Sequence, residues 1–243
     1  MPTELEAAAL ELIEELAPFT FSEPVTHTYN PLEYAWTSHS EYLRRYGQGK
    51  KRVLFLGMNP GPWGMSQTGI PFGEIPAVRD WVGIETKIDK PANEHPKRPV
   101  EGFACQRSEV SGRRLWGLFA DHYPNSADFF TDHFVANFCP LVWMAETGRN
   151  ITPDKLKKSE SAPVDIVCRK HLAKIITLLQ PEFLIGVGAF AEKQLKVTVK
   201  EHLPDNTAII GKILHPSPAS PLANKGWPQV PTQQLIDLGI WNA

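Results

Sequence analysis

Four short apolar runs do most to limit how this chain can fold. Residues 52–57 read RVLFLG, 133–139 read HFVANFC, 183–188 read FLIGVG, and 207–214 read TAIIGKIL with His215 directly after. Each is too short for a core helix and lacks the alternation of a strand with one wet face. Such runs fit strands buried on both faces, as in a parallel sheet. Helical patterns lie between them. In 163–179, Val164, Val167, Cys168, Leu172, Ile175, Ile176 and Leu179 mark one face, Pro163 suits the first helical position, and Gln180-Pro181 ends the helix. Weaker helices are expected over 108–119 and 189–200. Two more precede the first strand, over 3–17 and 32–46, the latter stopping at Gly47. Strands alternating with helices imply an α/β layer fold around a mostly parallel sheet.

At 243 residues, 42% hydrophobic and 21% charged, the chain has room for one large α/β domain with a sizeable core. No apolar run approaches the ~20 residues that span a bilayer, so no membrane partner is expected. The amino terminus, MPTELEAAALELIEELAPF, is acidic and helix-prone; it lacks the basic and apolar regions of a signal peptide and reads as mature protein. Cys105, Cys139 and Cys168 are the three cysteines and lie far apart. That pattern argues against a disulfide framework, a zinc pair or an iron–sulfur cluster. No metal and no cofactor is expected, and the compartment is a reducing one: cytoplasmic if bacterial, nuclear if eukaryotic. The net charge of -2 does not advertise phosphate binding. A nucleic-acid partner would need local patches, such as Lys97 with Arg98, Arg107, Arg113 with Arg114, or Lys155, Lys157 and Lys158. Residues 59–76 and 84–107 are long, irregular and rich in proline and glycine, the kind of loop that carries function or disorder.

In open α/β sheets, ligands bind beyond the carboxyl ends of the strands. Three polar residues from distant sequence stand at such places: Asn59 after the first strand, Asn137 at the end of the second, and His215 after the last. Around Asn59, GMNPGPWG has the stiffness of a fixed turn, which Asn59 would cap, or of a backbone built for close ligand approach. It matches neither G-x-x-x-x-G-K-[ST] nor G-x-G-x-x-G, which speaks against a nucleotide-phosphate cradle. Asn137 sits in an apolar run, so its amide either bonds neighbouring backbone or reads a ligand edge; one acceptor and two donors can match O4 and N3–H of uracil. His215 is either a structural donor or a site residue. Three prolines within 216–221 stiffen the loop after it, and Asn224-Lys225-Gly226 adds polar reach, which suits a wedge into stacked bases. Phe72 and Trp63 are candidates to stack on an extruded base, with a core position the more expected one for Trp63.

The long motifs GMNPGPWGMSQTGIPFGE (57–74) and HPSPASPLANKGW (215–227), with EHPKRP, SEVSGRRLWG, NFCPL, TGRN and GVGAFAE between them in order, resemble the single-strand-selective monofunctional uracil-DNA glycosylases over about residues 30–240. The resemblance implies a three-layer α/β/α fold on a central, mainly parallel four-stranded sheet. It implies one such domain over 1–243, with residues 1–30 as a helical extension. It implies an enzyme that flips uracil, and 5-substituted uracils such as 5-hydroxymethyluracil, out of single- or double-stranded DNA, releases the base by hydrolysis without cutting the strand, and acts as a monomer. Asn59 would hold the attacking water and His215 would face the base's O2. Asn137 would read the uracil edge, Phe72 would stack on it, and the backbone at Gly57, Met58, Gly61 and Met65 would line the pocket, the last two on the C5 side. Pro216, Ser217, Pro218, Ala219, Ser220, Asn224 and Lys225 would form the wedge. Ala219-Ser220 stands where vertebrate members carry an arginine, and Trp63 where some carry phenylalanine. Two other readings are open from residues alone: a non-catalytic single-stranded-DNA-binding module, and a small-molecule α/β hydrolase. The second would want a G-x-S-x-G elbow, which is missing.

Overall fold

The structure is a computed structural model that describes residues 1–242. Helix α1 (Glu4–Leu16) opens on a complete capping box: Glu6 N donates to Thr3 Oγ1 at 3.2 Å and Thr3 N to Glu6 Oε2 at 2.7 Å. Its Leu5, Leu12 and Leu16 enter the main core. A three-residue strand, β1 (His27–Tyr29), follows. The helix expected over 32–46 is in fact two, α2 (Pro31–Tyr34) and α3 (Trp36–Tyr46), because Ala35 leaves helical geometry at φ -108° and ψ 25°.

The four apolar runs are the strands of one sheet. They are β2 (Val53–Gly57), β3 (His133–Asn137), β6 (Phe183–Val187) and β7 (Ile209–Ile213), in the order β3-β2-β6-β7 and all parallel. β2 and β6 are buried at every position, as continuous apolar runs require, whereas β7 is an edge strand with Ile209 exposed. After β2 the chain moves to one side of the sheet, and after β6 to the other. The crevice between their carboxyl ends is therefore the switch point at which such sheets bind ligands.

Helices cover both faces: α5 (Val110–His122) and α6 (Ser126–Asp132), then α7 (Lys158–Leu179), α8 (Ala189–His202) and finally α10 (Gln229–Asp237). α1 packs on α7, and α8 on β6. α7 starts at Lys158, so Pro163 lies inside it rather than at its first position. Lacking an N–H, Pro163 removes one bond to the carbonyl four residues back, close to an end where backbone bonding is already incomplete. Cys105, Cys139 and Cys168 are buried free thiols.

A second sheet was not legible beforehand. β4 (Val142–Met144) pairs antiparallel with β1 and with β5 (Asn150–Ile151), placing Val142 opposite Tyr29 and Trp143 opposite Ile151. It anchors the long 84–107 segment: Tyr29 Oη donates to Arg98 O at 2.9 Å, His95 N donates to Tyr29 Oη at 2.6 Å, and His95 Nε2 lies 3.0 Å from Ala145 O. The other long segment holds a short helix, α4 (Met65–Thr68). There Gln67 Nε2 donates to Pro62 O and Pro99 O at 3.0 and 2.9 Å, while its Oε1 accepts from Glu101 N at 2.8 Å. One buried amide thus ties both loops into the wall of the crevice.

Candidate functional site

At the carboxyl end of β2 and β6 opens a cleft of about 460 Å³, within the ~300–1,000 Å³ usual for small-ligand sites. Met58, Asn59, Gly61, Phe72, Asn137 and His215 all line it. Register explains part of this convergence, since Gly57 pairs with Asn137 at the ends of β2 and β3. A Cβ on Gly57 would collide with Asn137 Oδ1 and stand 2.6 Å from Phe72 Cε2. Gly57 is therefore the absence of a side chain that lets the amide and the ring meet.

Asn59 is held by its own amide. Nδ2 donates to Leu141 O at 3.0 Å, which fixes the flip and leaves Oδ1 as an acceptor with no protein partner among the described residues. Asn137 makes no bond to neighbouring backbone; its amide donates to Met65 Sδ at 3.3 Å, a weak acceptor. Met65 itself is buried behind Asn137 and does not line the cleft. Phe72 sits at φ +53°, a left-handed conformation that costs about 1–3 kcal/mol for a side chain of this size. Its ring centroid is 6.4 Å from that of His215.

His215 has the environment of a neutral donor. Burial lowers its pKa below the usual histidine value. Ser217 N donates to Nδ1 at 3.1 Å, so the single proton of the neutral ring belongs on Nε2. The ring packs against Gly188, whose φ of +94° starts α8, with an added Cβ at 3.0 Å from His215 Cβ. The imidazole is set by a local turn on one side and by the end of β6 on the other.

The segment after His215 is tighter than its polar composition suggests. Pro216 is buried, Ser217 and Pro218 line the cleft, and Pro218 and Ala219 are exposed. Ser220 caps helix α9 (Pro221–Gly226), its Oγ accepting from Ala223 N at 3.2 Å. Asn224 and Lys225 lie on that helix, not on a free loop. Asn224 Nδ2 donates to Pro218 O at 2.8 Å, and its Oδ1 accepts from Arg114 Nη2 at 2.9 Å. Arg114 Nη1 also donates to Pro216 O at 3.1 Å. Asn224 is thus a tie within the segment rather than reach beyond it, and Lys225 stands exposed outside the cleft.

Trp63, expected in the core, lines the cleft instead. The guanidinium carbons of Arg107 and Arg98 stand 4.7 and 5.1 Å from its ring centroid. Two residues that the sequence did not place in the site complete it. One is Arg114, which organises the 216–224 segment; the other is Glu109, whose side chain lies under Gly61 and Gly64. A basic cluster hinted at the first. No sequence signal marks the second.

A parallel sheet with an amide, an imidazole and a strained aromatic ring around one crevice defines the class: an α/β protein with a polar and aromatic cleft at its switch point. The sequence model of the uracil DNA glycosylase superfamily matches residues 44–234. The single-strand selective monofunctional uracil DNA glycosylase of Bos taurus is 47% identical over 95% of this chain and 84% of its own length. The corresponding proteins of Rattus norvegicus and Mus musculus are 46% and 45% identical, over 95% of this chain and 82% of their own. The crystal structure of Pedobacter heparinus SMUG2 shares the fold, with a TM-score of 0.65 and 18% identity over 97% of this chain and 95% of that one. The chain belongs to the single-strand selective monofunctional branch of the uracil DNA glycosylase superfamily.

Proposed function

We propose that this protein removes uracil from DNA by hydrolysing the N-glycosidic bond, with Asn59 and His215 as its catalytic pair and no strand cleavage. The observation that carries this reading is the cleft itself. It brings together an amide with a free Oδ1 and an imidazole with its proton on Nε2, from segments more than 150 residues apart.

A stacked base cannot enter such a cleft, so the nucleotide is extruded first, at a cost of a few kcal/mol that is least in single strands and mismatches. As the bond to the base breaks, the sugar gains positive charge and uracil O2 gains negative charge. The neutral His215 donates from Nε2 to that oxygen, a preorganised contact of the kind worth ~3–4 kcal/mol in the transition state. An amide does not titrate usefully, so Asn59 orients a water through Oδ1 rather than deprotonating it, and the electron-poor sugar carbon accepts that weak nucleophile. Asn137 reads the edge of the ring, and Phe72 stacks on its face. No lysine lines the cleft among the described residues, which fits release of the base without an imine to the sugar.

The wall from Met58 to Gly61 ends in a glycine, which leaves room that also suits 5-substituted uracils such as 5-hydroxymethyluracil. DNA is the partner, single- or double-stranded, with Ser217 to Ser220 as the protruding segment. In single-turnover excision from a labelled uracil oligonucleotide, Asn59→Ala and His215→Leu should each slow release by about 10²–10³-fold with melting temperature held. Near-normal rates in both variants would remove the assigned roles. Excision of uracil but not of 5-hydroxymethyluracil from otherwise identical strands would confine the reading to the smaller base.

A further inference from the structure

One carboxyl group at the cleft has no place in the chemistry just described. Glu109 stands at the N-cap position of α5 without capping it, and its side chain turns back towards the loop between β2 and α4. A Cβ on Gly61 would collide with Glu109 Oε2, and one on Gly64 would stand 2.7 Å from its Cδ. Those two glycines are therefore spaces into which the carboxyl fits. Oε1 accepts from Ser111 Oγ at 3.2 Å, and the amides of Trp63 and Gly64 favour the ionised form. Oε2 is shut off from solvent and lacks a protein partner.

We propose that Glu109 is the positioning residue of the loop that carries Asn59: its carboxylate clamps the 61–64 backbone in place, and protonation releases the clamp. The loop runs unbroken from Asn59 through Gly61 and Gly64 to Met65, so a shift at its middle moves the catalytic amide at one end and the residue behind Asn137 at the other. Geometry makes the clamp, and environment makes it titrate. Burial pushes the Glu109 carboxyl up to about 7, and Glu74 adds repulsion against the pull of Ser111 and the two amides. Glu74 is placed in the 70–76 segment and accepts from Ser108 Oγ at 2.8 Å. The 57–65 loop brings no ionisable side chain of its own. Arg113, exposed on α5, reaches Ser108 Oγ at 3.4 Å rather than the carboxyl, Arg107 lies over Trp63, and His215 across the cleft titrates lower because of its burial. An ionised carboxylate accepts from Ser111 and is favoured by the nearby amides of Trp63 and Gly64, whereas a proton occupies part of that acceptor capacity, so the held state of the loop is the high-pH state.

The effect on rate rests on the proposed glycosylase reading; the effect on the loop does not. The test therefore has two arms on the full chain from about pH 5.5 to 8.5. In the first, backbone amide resonances of Gly61, Trp63 and Gly64 are followed in isotope-labelled protein. In the second, single-turnover release of uracil from a single-stranded oligonucleotide is measured. The Trp63 and Gly64 amides should titrate together with a midpoint near neutrality, and the rate should climb through it by up to about 10²-fold, the scale of a misplaced catalytic group. Glu109→Gln should abolish both transitions and leave a flat rate near the acid limb, with the substrate concentration at half-saturation unchanged. Ser111→Ala, which removes a donor to the ionised form, should move both midpoints upward. Amides that do not titrate near neutrality overturn the proposal, as does a titration or rate step that survives in Glu109→Gln. A wild-type protein that titrates normally but releases no uracil sinks the glycosylase reading alone.

Discussion

Gly57 decides how close the Asn137 amide and the Phe72 ring can come. It ends β2 opposite Asn137, and any side chain there would meet both the Asn137 amide and the Phe72 ring, the latter already under strain at φ +53°. Gly57→Ala should leave the sheet intact, since the position needs no special φ, while displacing one of those groups. The expected outcome is a loss of about 1–3 kcal/mol in chemical denaturation and a far larger loss of uracil release; wild-type activity in this variant would mean that Asn137 and Phe72 do not work as a pair. Glu109 makes a second residue-scale prediction, with the sign opposite to the familiar carboxylate case. Its folded pKa of about 7 lies above the unfolded value of 4.5, so the folded state holds the extra proton between these values. Stability therefore falls as pH rises from about 4.5 through 7 and then levels off. Glu109→Gln escapes that loss, and its melting temperature should exceed wild type by more at pH 8 than at pH 5. An equal offset at both pH values would show that the carboxyl is not buried as described.

At the scale of elements, the segment from His215 to Trp227 is one unit because Arg114 binds it at Pro216 O and Asn224 Oδ1 while Trp227 Nε1 donates to Arg114 O at 3.2 Å. Arg114→Gln should loosen the unit as a whole. Thermal stability should drop, by about 1.5–3 kcal/mol for a lost charge-assisted bond, and the excision rate should fall because His215 begins the segment; a rate equal to wild type would show that Ser217 and Gly188 hold the imidazole unaided. The same segment shows what sequence can and cannot convey. β2 and β6 were legible because burial on both faces writes itself as continuous apolar runs. Asn59, Asn137 and His215 were legible because polar residues at the ends of such runs must meet at one sheet edge. Asn224 was misread as reach into solvent, for its partner lies 110 residues earlier in the chain. β1, β4 and β5 carry two or three residues each, too few for any period, and Pro163 looked like a helix start because the preceding KSESA has no apolar face. Glu109 was invisible for a related reason: the need for a carboxyl appears only once Gly61 and Gly64 are seen above it.

At the scale of the whole molecule, a net charge of -2 hides an uneven distribution. Away from the cleft, cations meet carboxylates: Lys170 and Lys174 on α7 pair with Glu11 on α1, Arg169 with Glu201 at 2.9 Å, and Lys212 with Glu192 at 3.2 Å. Arg98 and Arg107 stand over Trp63 at the cleft, with Lys97 beside Arg98 and Arg113 and Arg114 on α5, and none of the five has an ion-pair partner among the described residues. Unpaired cations around one opening attract a polyanion even when the chain as a whole repels it, because charges beyond a Debye length of ~8–10 Å are screened at ordinary ionic strength. Trp63 adds stacking surface that duplex DNA, with its bases paired, cannot use as fully as a single strand can. Binding to a single-stranded uracil oligonucleotide should therefore weaken steeply with salt, and each phosphate-contacting cation removed should lower the slope of log affinity against log salt by about 0.7. The double variant Arg98→Ala with Arg107→Ala should lower it by about 1.4 and leave the single-turnover rate at saturating enzyme close to wild type. Trp63→Ala should instead weaken single-strand binding at every salt concentration with little change of slope. A salt slope untouched by the double variant would place the strand elsewhere on the molecule.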